Sequence, residues 1–450
     1  MYGFTKQLGP ASLAFVLLFS FTVNSQQRTS AALAKQHYEE GVQLLAKRDL
    51  DGAIESFKKA ISLAPKDAQA HAYLGYALGV KGQLADAIVE LQKAISLNPE
   101  LGEAHYYLGA ARWFSKDVDG AVTALRAAVR LLPQHANARY YLGLSLQKTG
   151  DLDEAIDSLR AAIKLQPDML PAYNDLGLAL MQKRDPDGAI AAFTDALKLD
   201  SGNMVAQLNI GMVLIQKGDY AAAVEQYRRI IVQAPDSAEA HYNLGLALKQ
   251  KDELADAEIE LRKAIELQPR LHEAHYILGT ILMQQSKLED AAAALRKAIE
   301  VKLDYAEAHF ALGTVMQQQG NFAGAVAALR QALVHAPNAP EIHNALGNAL
   351  RQTGDIEAAR REFQEAARLN KIKSNQQAAM FATNTGIAKL KEGNVDEAIE
   401  TLQRAIQLDP TSAQAYYNLA KALQKKGQTV AARAAEQKAR ELEAATKRHK

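Results

Sequence analysis

The sequence contains no cysteine among its 450 residues. This absence excludes disulfide bonds, thiolate zinc sites, iron–sulfur clusters and cysteine nucleophiles. It is compatible with an exported bacterial protein that does not depend on disulfides, although cysteine-free cytosolic proteins also exist. Asn-x-Ser/Thr sequons are absent too, which disfavours a glycosylated eukaryotic secretory protein.

An excess of charge of either sign is also lacking. There are 52 Lys and Arg residues against 51 Asp and Glu residues, and one of the positive charges, Lys6, lies in the N-terminal segment. A nucleic-acid-binding protein needs a basic face to displace counterions from phosphate, and no such block occurs. The basic residues 447–450 are interpreted as a frayed tail. The sequence therefore predicts no nucleic-acid partner.

Motifs that carry catalysis or bind cofactors are missing as well. The sequence has no phosphate-binding GxGxxG or GxxxxGK[ST], no GxSxG, and no strand pattern to support them. Carboxylates such as Asp151 and Asp219 stand at helix starts, where capping explains them. We therefore predict that the chain is not an enzyme and binds no cofactor.

The N-terminus has the pattern of a secretory leader. Lys6 precedes an almost wholly apolar stretch from Leu8 to Val23, and Ser25 follows. These 16 residues are fewer than the about 20 that span a bilayer. We predict a signal peptide over 1–25, cleaved after Ser25, and a short linker over 26–33, which leaves no stable membrane span. The expected location is the periplasm, with secretion or anchoring by the leader as alternatives.

A 34-residue repeat occupies the rest of the chain. Ten glycines lie 34 residues apart, from Gly41 to Gly347. If this glycine is numbered position 8, position 20 is alanine in twelve units and position 32 is proline in eight. Apolar residues follow two helical periods in each unit, with a turn near position 15. Each helix pair leaves one apolar face that only the next pair can bury.

This spacing and these residue types resemble the tetratricopeptide repeat, over about Ala34 to Thr446. The resemblance implies an all-α fold, a right-handed α-solenoid (superhelix) of about twelve stacked antiparallel helix pairs. Repeats 1–10 are assigned to 34–373 and repeats 11–12, a C-terminal cap, to 379–446, followed by a tail at 447–450. Between them the rhythm slips by five residues, so 374–378 is predicted to be an inserted joint with altered twist or local mobility.

The resemblance also implies where a partner binds. In the family, positions 2, 5, 9, 12 and 13 of the first helix line a concave groove that holds extended peptides. Repeats two to four place aromatic residues there: Tyr76, Tyr106, Trp113, Phe114 and Tyr140. Exposed aromatics often anchor interfaces, but these rings could also pack between repeats, and both interpretations stay open. If they bind, Tyr106, Trp113 and Tyr140 should be exposed in one patch.

Other polar series are interpreted as structural. Histidine stands at position 4 in seven repeats, too far apart to share an ion, so it is expected to pack where the family usually has tryptophan. His272 and His275 could share a metal, but no third ligand is evident, and no metal site is predicted. Glutamine at position 13 of six repeats could bond a ligand backbone or merely be a solvated helix end. Every basic member of the family's carboxylate clamp is missing.

The preferred hypothesis is an exported, non-enzymatic scaffold that binds protein or peptide partners in the groove. An accessory role in trans with an envelope glycosyltransferase or polysaccharide-export machinery is the alternative. A purely structural array without a defined ligand is a third possibility.

Overall fold

The computed structural model describes residues 30–448, with side chains placed as far as residue 445. The predicted signal peptide (1–25), the first part of the predicted linker and residues 449–450 lie outside the described residues. Within the described range all regular structure is helical, and no strand occurs. The chain divides into two compact units between Pro235 and Asp236.

The helices of the first unit alternate between first and second helices of a pair, beginning with a first helix. They are α1 (30–46), α2 (Leu50–Leu63), α3 (Ala68–Val80), α4 (Leu84–Leu97), α5 (Gly102–Phe114), α6 (Val118–Leu131), α7 (Ala136–Thr149), α8 (Leu152–Leu165), α9 (Leu170–Gln182), α10 (Pro186–Leu199), α11 (Met204–Lys217) and α12 (Tyr220–Gln233).

The second unit continues the alternation up to one long helix. Its helices are α13 (Ala238–Gln250), α14 (Leu254–Leu267), α15 (His272–Gln284), α16 (Leu288–Val301), α17 (Ala306–Gln318), α18 (Phe322–His335), α19 (Pro340–Gln352), α20 (Ile356–Glu392), α21 (Val395–Leu408), α22 (Ala413–Lys425) and α23 (Thr429–Arg448).

Side-chain capping defines the turn between the helices of a pair. Asp49, Asp117 and Asp185 each accept a hydrogen bond of 3.0 Å from the backbone N–H three residues later, at the start of a second helix. The preceding residue, position 15, takes a left-handed conformation that glycine adopts without strain, as at Gly82 with φ +85°. The chain can therefore reverse direction within a few residues.

The glycine at position 8 allows the two helices of a pair to touch. A Cβ atom on Gly109 would lie 2.4 Å from Leu125 Cγ, and one on Gly211 would lie 2.4 Å from Tyr227 Cζ. Position 24 of the second helix therefore packs directly against the backbone of the first. The alanines at positions 20 and 27, such as Ala87, are fully buried in the same contact. The predicted fold class, an all-α solenoid of stacked antiparallel helix pairs, is confirmed.

The predicted joint at 374–378 contains no break. We expected the second helix of repeat ten and the first helix of repeat eleven to be separate, but α20 is a single helix of 37 residues. Lys371 stands at position 32, where eight repeats have proline, and 371–378 contains neither Pro nor Gly. Since nothing in this stretch stops a helix, the two helices join.

The ends of the predicted array also differ from expectation. Helix α1 includes residues 30–33, so the last four residues of the predicted linker are helical. Helix α23 reaches Arg448, which makes the first two residues of the predicted tail helical as well. Among the described residues, no helix is both long enough and apolar enough to span a membrane.

Candidate functional site

Aromatic rings on the first helices of the first unit form a continuous chain. Successive ring centroids lie 5.6, 6.4, 5.4, 6.3 and 5.3 Å apart, which are ordinary distances for aromatic contacts. We call this chain the aromatic ladder; its members in order of contact are Tyr38, Tyr73, Tyr107, Tyr106, Tyr141 and Tyr140.

An apolar cavity of about 200 Å³ opens beside the middle of the ladder, and we call it the aromatic pocket. Its floor consists of small residues, and Val80 and Leu84 complete its border. The small floor residues are Gly75, Gly79, Ala110 and Ala111. The ring walls are Tyr76, Tyr106, Tyr107, Phe114 and Tyr141. Because no charged residue lines the pocket, its surface suits an apolar group.

The walls are held in place by contacts between consecutive helix pairs. The rings of Tyr76 on α3 and Tyr107 on α5 lie 4.7 Å apart, and those of Phe114 on α5 and Tyr141 on α7 lie 6.0 Å apart. Two of the rings are exposed to solvent, Phe114 to 60% and Tyr76 to 37%. The pocket is therefore built into the stacked helices and open to solvent.

The structure brings together three of the five residues predicted from the sequence. Tyr76, Tyr106 and Phe114 line the pocket. Trp113 is partly buried and packs against the core formed by α6 and α7, and Tyr140 is partly buried at the end of the ladder. Tyr106 is also partly buried, so Tyr106, Trp113 and Tyr140 do not form the exposed patch that we expected.

Two pocket residues were missed by sequence reasoning. Tyr107 and Tyr141 occupy position 6, together with Tyr73 in the preceding repeat. Tyrosine at the same position in three consecutive repeats was a usable signal. It was overlooked because position 6 lies off the stripe that lines the groove in the family.

Burial raises the pKa of two pocket tyrosines, Tyr106 and Tyr107. It raises the pKa of Tyr106 to about 12, with smaller contributions from Tyr141 and Tyr76. The pKa of Tyr107 is likewise raised, chiefly by burial and then by Tyr73. Tyr106 and Tyr107 therefore stay uncharged well above neutral pH.

The ladder ends at a carboxylate. Tyr140 Oη on α7 donates a hydrogen bond of 2.8 Å to Asp175 Oδ2 on α9. Burial raises the pKa of Asp175, and the hydrogen bond from Tyr140 acts in the opposite direction. Asn174, the preceding residue on α9, has its Oδ1 buried without a hydrogen-bond partner.

The histidines at position 4 have a structural role that the sequence did not reveal. His105, His275 and His309 each place Nε2 within 3.0 Å of the carbonyl oxygen six residues earlier, at the end of the preceding helix pair. Arg139 and Tyr173 at the same position donate to the equivalent carbonyl at 3.1 Å. In these repeats position 4 therefore ties the first helix to the preceding turn, rather than only filling the place of tryptophan.

The arrangement of these histidines does not favour a metal site. His275 Nε2 bonds the Pro269 carbonyl, and His272 Nδ1 lies 3.0 Å from Glu273 Oε2. No group of three or more potential metal ligands occurs among residues 30–448. The six glutamines at position 13 are all exposed. This exposure fits both a role in bonding a ligand backbone and a solvated helix end.

Comparison with protein families identifies the repeat. Models of the tetratricopeptide repeat match residues 37–67, 80–113, 106–169 and 386–427. A model of the cilia and flagella-associated protein 70 C-terminal domain matches residues 170–383. The chain belongs to the tetratricopeptide-repeat family. The recognition from sequence is thereby confirmed.

Several solved structures resemble parts of this tetratricopeptide-repeat chain. A MamA structure is 33% identical and covers 36% of this chain and 94% of its own, with a TM-score of 0.34. MamA from Desulfovibrio magneticus RS-1 is 25% identical and covers 38% and 97%, with a TM-score of 0.35. YrrB, described as a TPR protein with an unusual peptide-binding site, is 25% identical and covers 41% and 95%, with a TM-score of 0.36. A comparison with curated proteins gives no match.

The fold and the family together support a protein-interaction scaffold. Tetratricopeptide-repeat proteins are typically non-enzymatic, and stacked helix pairs provide the extended surfaces on which such proteins hold partners.

Proposed function

We propose that this tetratricopeptide-repeat protein is an exported scaffold that binds extended segments of partner proteins along the first helices of its first unit. The observation that carries the proposal is the aromatic pocket, an apolar cavity whose lining includes the exposed rings of Phe114 and Tyr76. Large rings left exposed around a cavity are a feature of protein interfaces, because aromatic anchors bury much area at a low entropic cost.

The size of the pocket supports a side chain as its ligand. Its volume of about 200 Å³ exceeds the about 30 Å³ of one water molecule several-fold. It is smaller than the roughly 300 Å³ or more of pockets that hold drug-sized molecules. One large apolar side chain would fill it, with the rest of the partner extended along the neighbouring helices.

The construction of the pocket supports binding without a large rearrangement. Its floor and walls come from α3, α5 and α7, which are stacked in consecutive helix pairs and held by ring contacts. A partner would therefore meet a preformed cavity, which lowers the entropic cost of association. Export rests on the leader-like pattern of 1–25, and we propose the periplasm as the place where the scaffold acts.

The binding test uses Phe114→Ala in the full mature chain. The probes are peptides selected from a displayed random library, about twelve residues long, spanning about 40 Å when extended. Loss of an anchoring ring commonly costs about 2 kcal/mol, so we expect roughly thirtyfold weaker binding by the selected peptides. The melting temperature should hardly change, because Phe114 is 60% exposed.

Two further variants separate binding from stability. Val89→Ala removes an apolar side chain of similar exposure, 62%, that lies outside the pocket on α4, and it should leave binding unchanged. Trp113→Ala should instead lower the melting temperature, since Trp113 packs against the core. Failure of the wild-type chain to select any peptide, or full binding by Phe114→Ala, would overturn the proposal.

A further inference from the structure

Asp175 differs from Glu258, the one fully buried carboxylate among the described residues, because it has no cationic partner there. Glu258, 5% exposed on α14, meets Arg262 within its own helix and Lys287 Nζ at 2.9 Å. Asp175 is also partly buried, yet it forms no ion pair in the described part of the chain, and its hydrogen bond comes from the neutral Tyr140 hydroxyl. Burial of a carboxylate without a cation is unfavourable, so this site can gain from a positive charge supplied by another molecule.

Aromatic rings in contact with one another lead from the pocket to Asp175. The Tyr106 wall of the pocket contacts Tyr141 at 6.3 Å, Tyr141 contacts Tyr140 at 5.3 Å, and the Tyr140 hydroxyl bonds Asp175. Ring faces attract Lys and Arg side chains, so this path suits a cation approaching the carboxylate. The pocket and Asp175 are therefore linked by a series of contacting rings, with an apolar cavity at one end and a carboxylate at the other.

We propose that Asp175 receives a Lys or Arg side chain of the bound segment, so that the preferred partner carries a large apolar residue for the aromatic pocket and a basic residue a few positions away. This inference rests on the proposed function, since it names the chemistry of the segment that the same surface binds. The negative charge that would attract this basic residue belongs to Asp175 at the end of the ladder, whereas no charged residue lines the pocket.

The ring distances set the separation of the two anchors. From the Tyr106 ring to Asp175 the path measures at most about 17 Å, which an extended chain covers in roughly three to five residues. A Lys or Arg side chain is itself several ångströms long, so the basic residue falls within this range rather than at one fixed position.

The test compares the sequences of peptides selected by four forms of the full mature chain from one random-peptide display library. Wild type should enrich a large apolar residue together with Lys or Arg three to five residues away. Asp175→Asn keeps the acceptor for Tyr140 but removes the charge, and it should retain the apolar preference while losing the basic one. Phe114→Ala should lose the apolar preference. Asp157→Asn, an exposed carboxylate on α8, is the matched control and should behave as wild type.

Measured affinities give the second readout. For a wild-type-selected peptide, Asp175→Asn should weaken binding about tenfold, the loss of one charge-assisted contact that is partly exposed to solvent. Replacing the basic residue of the peptide by Gln should weaken binding to wild type by a similar factor and should add little to the effect of Asp175→Asn. Such non-additivity would show that the two charges meet.

The outcomes separate this inference from the proposed function. Peptides selected through the apolar residue alone, with no basic preference, would overturn the role of Asp175 and leave the pocket intact. A basic preference that persists in Asp175→Asn would also overturn it. The absence of any selected peptide would overturn the proposed function itself.

Discussion

At the scale of single residues, position 15 shows the effect of backbone strain apart from that of side-chain packing. Seven repeats have glycine in the left-handed conformation there, and Arg48, Lys116, Arg184, Asp252 and Ser286 adopt the same conformation with a side chain, φ lying between 60° and 66°. These five residues bear a conformational cost that glycine avoids. At Arg48, Lys116 and Arg184 the aspartate that follows caps the second helix and helps to hold the turn.

We therefore predict that Ser286→Gly stabilises the chain. The left-handed conformation costs a residue with a side chain about 1–2 kcal/mol. Glycine also increases the conformational entropy of the unfolded chain, which lowers the free energy of unfolding by about 0.5–1 kcal/mol. A net gain of roughly 0.5–1 kcal/mol should raise the denaturation midpoint of the helices around the turn. Hydrogen exchange in α15 and α16 measures this change.

The reverse change provides the control for that prediction. Gly320 occupies position 15 of the next repeat with φ +75°, and a Cβ added there would meet no atom within 4 Å. Gly320→Ser should destabilise by a similar amount through strain alone. Equal stability of both variants and wild type would contradict the argument.

The candidate site also shows what single residues could and could not reveal. Trp113 and Phe114 are adjacent in sequence, and helical periodicity places both on one broad stripe. Which ring faces the pocket depends on the neighbouring helix pair: Phe114 contacts Tyr141, whereas Trp113 packs against the core of α6 and α7. Periodicity within one helix contains no information on that choice, so sequence reasoning named both.

At the scale of helices, the repeat rhythm predicted almost every boundary because its turns have chemical markers. Position 15 carries glycine in most repeats, and position 32 carries proline in eight. The prediction failed where the rhythm slipped. A five-residue insertion indicates that something changes between two pairs, but only the absence of Pro and Gly around Lys371 indicates that the chain continues as a helix.

The continuity of α20 can be tested with Gln376→Pro. Gln376 is exposed in the middle of the 37-residue helix. Proline removes a backbone hydrogen bond and clashes with the preceding turn, which costs about 3 kcal/mol in a helix interior. We expect a clear loss of helical circular dichroism and faster proteolytic cleavage near residue 376. Gln376→Ala should be neutral, and a proline variant as stable as wild type would mean that 374–378 is a loop.

At the scale of the whole molecule, contacts are local along the chain. Within each unit, the contacts between helices from α2 onward join a helix only to the next one or the next but one. In such an array stability is approximately a sum of terms for each pair and its neighbour, so a part of the chain can fold without the rest. The aromatic pocket, the aromatic ladder and Asp175 all lie in the first unit, before Pro235.

We accordingly predict that a fragment of residues 26–235 folds and binds as the full chain does. Its helical circular dichroism per residue should match that of the full chain. The affinity for peptides selected on the full chain should agree within about threefold, because the pairs that form the pocket keep all their neighbours.

The cut after Pro235 leaves α12 as a terminal helix, and an uncapped apolar end can cause aggregation of a correctly folded fragment. The same fragment joined to residues 413–448, which contain the C-terminal helices α22 and α23, distinguishes that effect from misfolding. Both forms are compared by circular dichroism and by titration with the selected peptides. A well-folded fragment that has lost peptide binding would place the binding surface, or an essential part of it, beyond Pro235.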